Sequence, residues 1–167
     1  GIVMVFKRLP EFPQEERLAR LPALDAASIR LTPAQAFDAA MLQSPPQRVL
    51  LTSYRNRPAY RFGLDFGSIT VFADDGTWLE GVTPEDAVAI AGLMFPEDRA
   101  TARHLESRTE PDQWTIGNRF NATGALHRIG LGDAAGTDVY VAEATGEIVM
   151  KTDRASRFWG YLGPVLH

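Results

Sequence analysis

The side chains best suited to chemistry in this 167-residue chain are three histidines, His104, His127 and His167, and a group of arginines on strand-like segments. No His-x-x-x-His spacing links the histidines, so the sequence gives a metal site no support. His104 falls in a charged stretch and reads as a solvated surface residue. His127 lies between Leu126 and Arg128 on a strand-like run. There it is either a sheet histidine or a ligand-binding, pH-sensing group, because imidazole titrates near neutrality. Arg55, Arg57, Arg61, Arg119 and Arg128 lie on runs that match one another. They line either a shared anion-binding face or ordinary solvated strands. Arg57, Arg61, His127 and Arg128 are the candidate ligand-binding residues. Tyr54, Tyr60, Phe62 and Phe66 beside them read as core, next to a sheet edge able to accept a peptide strand.

Other chemistry finds no constellation. The absence of cysteine excludes disulfides, thiolate nucleophiles and zinc–thiolate sites. Asp65-Phe66-Gly67 resembles a kinase triplet, but no glycine-rich loop or His-Arg-Asp accompanies it, so it reads as a hairpin turn. Asp74, Asp75 and Glu80 surround Gly76 without the alternating spacing of a calcium loop. Asn121-Ala122-Thr123 is a sequon that matters only in a eukaryotic secretory context. Phosphate-binding, dinucleotide and nucleophile-elbow motifs do not occur. No catalytic residue is assigned, and the chain reads as non-enzymatic.

Charge narrows the partners. The net charge is −4, from 17 basic and 21 acidic residues, with no basic block. A nucleic-acid binder needs a basic face to neutralise phosphates, so nucleic acid is not expected as a partner. Apolar residues at 45% and charged residues at 23% are those of a folded domain.

The elements that position these side chains follow from an internal repeat. Leu31-Thr32-Pro33-Ala34-Gln35-Ala36-Phe37 recurs as Val82-Thr83-Pro84-Glu85-Asp86-Ala87-Val88. In each copy threonine is a helix N-cap and proline occupies the first helical position. Gln35 completes a capping box, and Asp86 puts an acid in the first turn. Phe37, Ala40 and Met41, and in the other copy Val88, Ala91 and Leu93 to Phe95, form the expected apolar faces. Four strand-like runs follow the first helix, at residues 48–54, 59–65, 68–73 and 77–82. Four more follow the second, at residues 113–117, 125–131, 137–143 and 147–152. Asp75-Gly76-Thr77-Trp78 aligns with Thr145-Gly146-Glu147-Ile148 as the last hairpin.

The predicted fold class is therefore α+β, with two tandem units, each a helix packed on a four-stranded antiparallel sheet. Residues 1–30 form an apolar stub, a short helix near 15–21 and a linker. Residues 31–82 are the first unit, 83–153 the second, and 154–167 a C-terminal segment. A short charged helix is predicted within residues 96–107. Both ends are apolar, Gly1 to Phe6 and Phe158 to Leu166. They read either as a terminal strand and helix in the core, or as stubs of membrane helices with Trp159 and Tyr161 in an interfacial belt.

The Thr-Pro-x-x-Ala helix start, the Tyr140-Val-x-x-x-Thr-Gly-Glu-Ile148 hairpin and the Arg154, Arg157, Trp159 run closing on Leu166-His167 resemble the PepSY domain. The resemblance extends to PepSY-associated transmembrane proteins. It covers residues 31–167 through short, degenerate motifs. It implies a periplasmic domain of a bacterial inner-membrane protein, tethered by flanking helices and binding a peptide or a partner membrane protein. Family members are linked to peptidase inhibition or regulation, and others to iron and siderophore uptake as haem-dependent reductases. Their haem histidines lie in membrane helices, and only His167 matches such a position. No cofactor is expected in the fragment itself; haem, with His167 as axial ligand, is an expectation for the full-length protein. Lys7, Arg8, Arg154 and Arg157 beside the apolar ends oppose this topology, though the positive-inside rule weakens for loops longer than about 60 residues.

Overall fold

A computed structural model describes residues 12–65, 67–109 and 125–165, with side chains followed as far as Trp159. It is an α+β arrangement of helices with two antiparallel sheets, one of three strands and one of four.

Helix α1 spans Gln14–Ala19, and α2 spans Pro33–Ala39. At α2 the predicted capping box forms: Thr32 Oγ1 accepts from the Gln35 amide at 3.3 Å, and Gln35 Oε1 accepts from the Thr32 amide at 2.9 Å. The helix ends at Ala40, and Met41 turns into the left-handed region at φ 51°. Met41 is therefore 77% exposed instead of completing the apolar face, and Ala36 and Ala40 are the buried positions.

Strands β1 (Arg48–Tyr54), β2 (Arg57–Leu64) and β3 (Gly67–Phe72) form the first sheet in that order. Arg55 and Asn56 both have positive φ, 50° and 66°, so two residues close the first hairpin with a turn that suits strand twist. The strand therefore begins at Arg57, two residues earlier than its apolar pattern implied. Tyr60 and Phe62 face α2, where they pack with Ala36, Ala40, Val71 and Ala73. The Tyr60 hydroxyl donates to the Leu31 carbonyl at 2.9 Å.

The predicted fourth strand of this unit does not form. Only an isolated bridge joins Val71 to Trp78, and the Leu79 amide still reaches the Thr70 carbonyl at 2.8 Å. The chain then leaves for the second sheet, where the Val82 amide donates to the Glu143 carbonyl at 2.9 Å. A segment that must cross between sheets cannot continue a ladder in either.

Helix α3 (Pro84–Met94) starts from Thr83, which accepts from the Asp86 amide at 3.1 Å. It lies on the sheet β4 (Arg103–Arg108), β5 (Leu126–Gly130), β6 (Asp138–Ala142) and β7 (Ile148–Thr152). Val82, Ile90, Met94, Ile129, Val141 and Ile148 belong to the core between them, joined by Phe12. The opposite face of this sheet buries Tyr140, Ala142, Val149 and Met150.

Strand β4 corrects the helix predicted within residues 96–107: only a single 3-10 turn, Pro96–Asp98, is helical there. From Arg103 the exposure alternates with a period of two, and Glu106 stands opposite Arg128 across the ladder. Polar residues hide that period, and an available strand edge decides the conformation. The run predicted at residues 113–117 lies outside the described residues. Helix α4 (Arg154–Val165) ends the structure. Among the described residues no helix is long and apolar enough to cross a membrane.

Candidate functional site

Strand periodicity builds the site. Register places Arg48, Leu50, Thr52 and Tyr54 of β1 on the same face as Ala59 and Arg61 of β2, opposite the face that packs on α2. That second face looks across a cleft of about 220 Å³ towards α1, the end of α3 and the β6–β7 turn. The cleft runs along the outer edge of β1, since consecutive residues from Leu50 to Arg55 line it. Among the described residues β1 pairs only with β2, so its other edge is open.

Arg61 is the buried charge in this wall, at 8% exposure. Its Nη1 pairs with Glu147 Oε2 at 2.7 Å, and its Nη2 donates to the Thr145 carbonyl at 3.1 Å. Its Nε is buried with no partner, and so is the hydroxyl of Thr70, which stands directly opposite Arg61 in the sheet. Buried donors without partners are uncommon and cost about 1–3 kcal/mol each. Glu147 is shared, its other oxygen taking Arg17 at 2.9 Å.

Tyr54 closes one end of the cleft. Its hydroxyl donates to Asp86 at 3.2 Å, and Arg55 forms an ion pair with the same carboxylate. Burial, reinforced by the negative charge of Asp86, pushes the phenol up to about 12. At the other end the exposed Arg48 has no ion-pair partner among the described residues. Arginines therefore outnumber acids on the lining: Arg17, Arg48, Arg55 and Arg61 against Glu147.

The four residues singled out in sequence are not brought together. Arg57 is held at the hairpin end, its Nε and Nη2 on Asp74 at 2.6 and 2.8 Å and its guanidinium 3.8 Å from the Phe72 ring centre. Its hydrogen bonds hold the Asp74 carboxyl below the usual carboxylate range.

His127 faces α3 and is 4% exposed. Its Nε2 lies 2.7 Å from the Val82 carbonyl, which can only accept, so Nε2 carries the proton. In the neutral ring Nδ1 then accepts from Ser107 Oγ at 2.9 Å, and that oxygen accepts from His104 Nε2 at 3.0 Å. His104 thus belongs to a strand and a hydrogen-bonded chain, not to a solvated helix.

Arg128 points to the other face of the second sheet. Its Nε and Nη2 reach Asp138 Oδ2 at 3.0 and 2.5 Å, and its Nη1 reaches Glu106 at 3.1 Å. Burial works against the charged guanidinium, but these carboxylates outweigh it and raise its pKa. Arg119 and His167 lie outside the described residues.

Sequence reasoning missed Arg17, Arg48 and Glu147. The period-two spacing of Arg48, Leu50, Thr52 and Tyr54 carried part of the signal. The convergence of α1 and the β6–β7 turn on that face is tertiary. No group of three or more His, Asp or Glu side chains positioned for a metal ion occurs among the described residues. No family model, curated protein or solved structure matches the chain.

Proposed function

We propose that this chain is a non-catalytic, extracytoplasmic binding or regulatory module of a bacterial inner-membrane protein, built from two PepSY-like units. Its partner is an extended segment of a peptide or membrane protein that adds to the open edge of β1. The carrying observation is the cleft along that edge, with the half-used Arg61 guanidinium in its wall. Strand addition draws affinity from main-chain hydrogen bonds and specificity from side-chain pockets, and an edge beside a cleft offers both.

The two-unit reading is supported by paired local geometry. Thr32 and Thr83 cap their helices in the same way. Gly76 and Gly146 both adopt positive φ, 78° and 69°. Around them the Phe72 and Ala142 amides donate to the Thr77 and Glu147 carbonyls at 2.7 and 2.8 Å. The membrane reading draws on α4, where Phe158 and Trp159 are 59% and 40% exposed. Exposed aromatics on a helix suit a membrane interface.

These 167 residues contain no cysteine, so with any cysteine elsewhere in the parent protein replaced by serine a single introduced thiol reports cleanly. Leu51, 48% exposed on the β1 edge, is the position for it. In whole bacteria carrying the membrane-anchored parent protein, Leu51→Cys is expected to react with a membrane-impermeant maleimide. Labelling that appears only after lysis would contradict the extracytoplasmic placement.

A further inference from the structure

We infer that the β1 cleft selects an acidic extended segment, one carrying a glutamate or aspartate between apolar residues, and that Glu147 is an internal stand-in for that side chain. The inference rests on the binding reading above and adds the chemistry of the occupant.

The guanidinium of Arg61 supplies the main reason. A carboxylate best engages arginine through two parallel N–H donors. Glu147 takes only Nη1, a backbone carbonyl takes Nη2, and Nε is left buried without a partner. Nε is out of contact with solvent, so an incoming carboxylate that displaces Glu147 and turns the guanidinium binds Nε together with an Nη, uses the fork fully and removes the unmet donor. Glu147 would then remain with Arg17, its partner at 2.9 Å.

The charge balance agrees. Four arginines and one glutamate line the cleft, with Asp86 behind Arg55 as a further acid, in a chain whose net charge is −4. A local excess of positive charge on an acidic protein draws anionic groups to that place. Exposed Arg48 is positioned to steer the segment, and buried Arg61 to anchor it.

The acid lies within the segment and not at a chain terminus. Arg61 stands opposite Leu50, and the lining continues past it to Arg48 on one side and Arg55 on the other. A strand at about 3.4 Å per residue therefore passes the anchor in both directions. The apolar flanks meet Leu18, Leu21, Leu50 and Met94.

The test is calorimetric titration of the 167-residue chain with three pentapeptides. These are acetyl-Val-Leu-Glu-Leu-Val-amide, the same peptide with glutamine at the centre, and the glutamine peptide with a free C-terminal carboxylate. The glutamate peptide is expected to bind at least 10-fold more tightly than its amidated glutamine analogue. Arg48→Glu, an exposed change, is expected to weaken the glutamate peptide by about 10-fold, the scale of one charge-assisted contact. Glu147→Gln is expected to tighten the glutamate peptide several-fold and leave the glutamine peptide unchanged.

Equal affinity for the glutamate and amidated glutamine peptides overturns the inference. So does tighter binding of the free-carboxylate peptide, which would make the occupant a chain terminus. If all three bind equally and protect β1 amides from exchange, the binding module stands and only the acidic selectivity fails. If none protects β1, both fail.

Discussion

Asp138→Ala is expected to lower the unfolding free energy by about 3 kcal/mol, the lower end of what removing one member of a buried ion pair costs. The Asp138 side chain is 9% exposed and accepts from two arginines that approach from different elements. Arg128 reaches it from β5, and Arg157 Nη1 from α4 at 3.0 Å. Arg157 also donates to the Gly136 carbonyl at 2.6 Å and to Thr152 Oγ1 at 2.8 Å. Without the carboxylate, two partly buried guanidiniums face each other with the charge between them removed. Arg128 keeps Glu106, which holds the loss near the lower end. Because Arg157 ties α4 to the sheet, the emission of Trp159 is expected to change before global unfolding. A urea titration showing less than about 1 kcal/mol would mean that the pair acts as an exposed one.

Gly146→Ala is expected to cost a similar amount, about 3 kcal/mol, from two separate sources. Gly146 sits at φ 69°, where an L side chain costs roughly 1–2 kcal/mol. A Cβ there would also stand 2.9 Å from two ring carbons of Tyr54 and 3.2 Å from Ile90 Cδ1. The Tyr54 ring has little freedom, since it packs edge-on against Phe72 at 5.8 Å and its hydroxyl holds Asp86. Relieving such overpacking costs about 1–3 kcal/mol. Gly81→Ala is the control: the nearest atom to its added carbon is 3.8 Å away, so a change within about 0.5 kcal/mol is expected. Thermal or urea unfolding of both variants checks the contrast. Equal, small effects at both glycines would contradict the tight seam between Tyr54 and the β6–β7 turn.

That seam shows where sequence stops being informative. Capping is local, and Thr32, Gln35, Thr83 and Asp86 announce their helices through contacts three residues apart. β1 is readable to its ends because apolar and β-branched residues lie between a Pro-Pro stop and the Arg55-Asn56-Arg57-Pro58 run, which reads as a turn although only Arg55 and Asn56 form it. β4 was not, because Arg103 to Arg108 carries charge on both faces and becomes a strand only by pairing with β5. The missing fourth strand of the first sheet has the same origin: pairing stops at the Val71–Trp78 bridge and the Leu79 amide, and Val82 bonds to Glu143, beside the other sheet.

The site follows this division. Arg61 was visible as an arginine on a strand, while its burial depends on Thr145 and Glu147, more than 80 residues away in sequence. Arg57 and Arg128 share residue type with Arg61, and His127 shares its place on a strand. Asp74, Asp138 and Ser107 respectively hold them elsewhere. Type and spacing select candidates, and partners decide which of them face a common space.

The most direct measurement is amide hydrogen exchange across residues 48–54 with and without acetyl-Val-Leu-Glu-Leu-Val-amide at saturation. Strand addition to the open edge of β1 requires alternate amides of that strand to slow, with residues of β5 and β6 unchanged. Unaltered exchange in β1, or protection confined to the second sheet, would contradict a binding module that works through this edge.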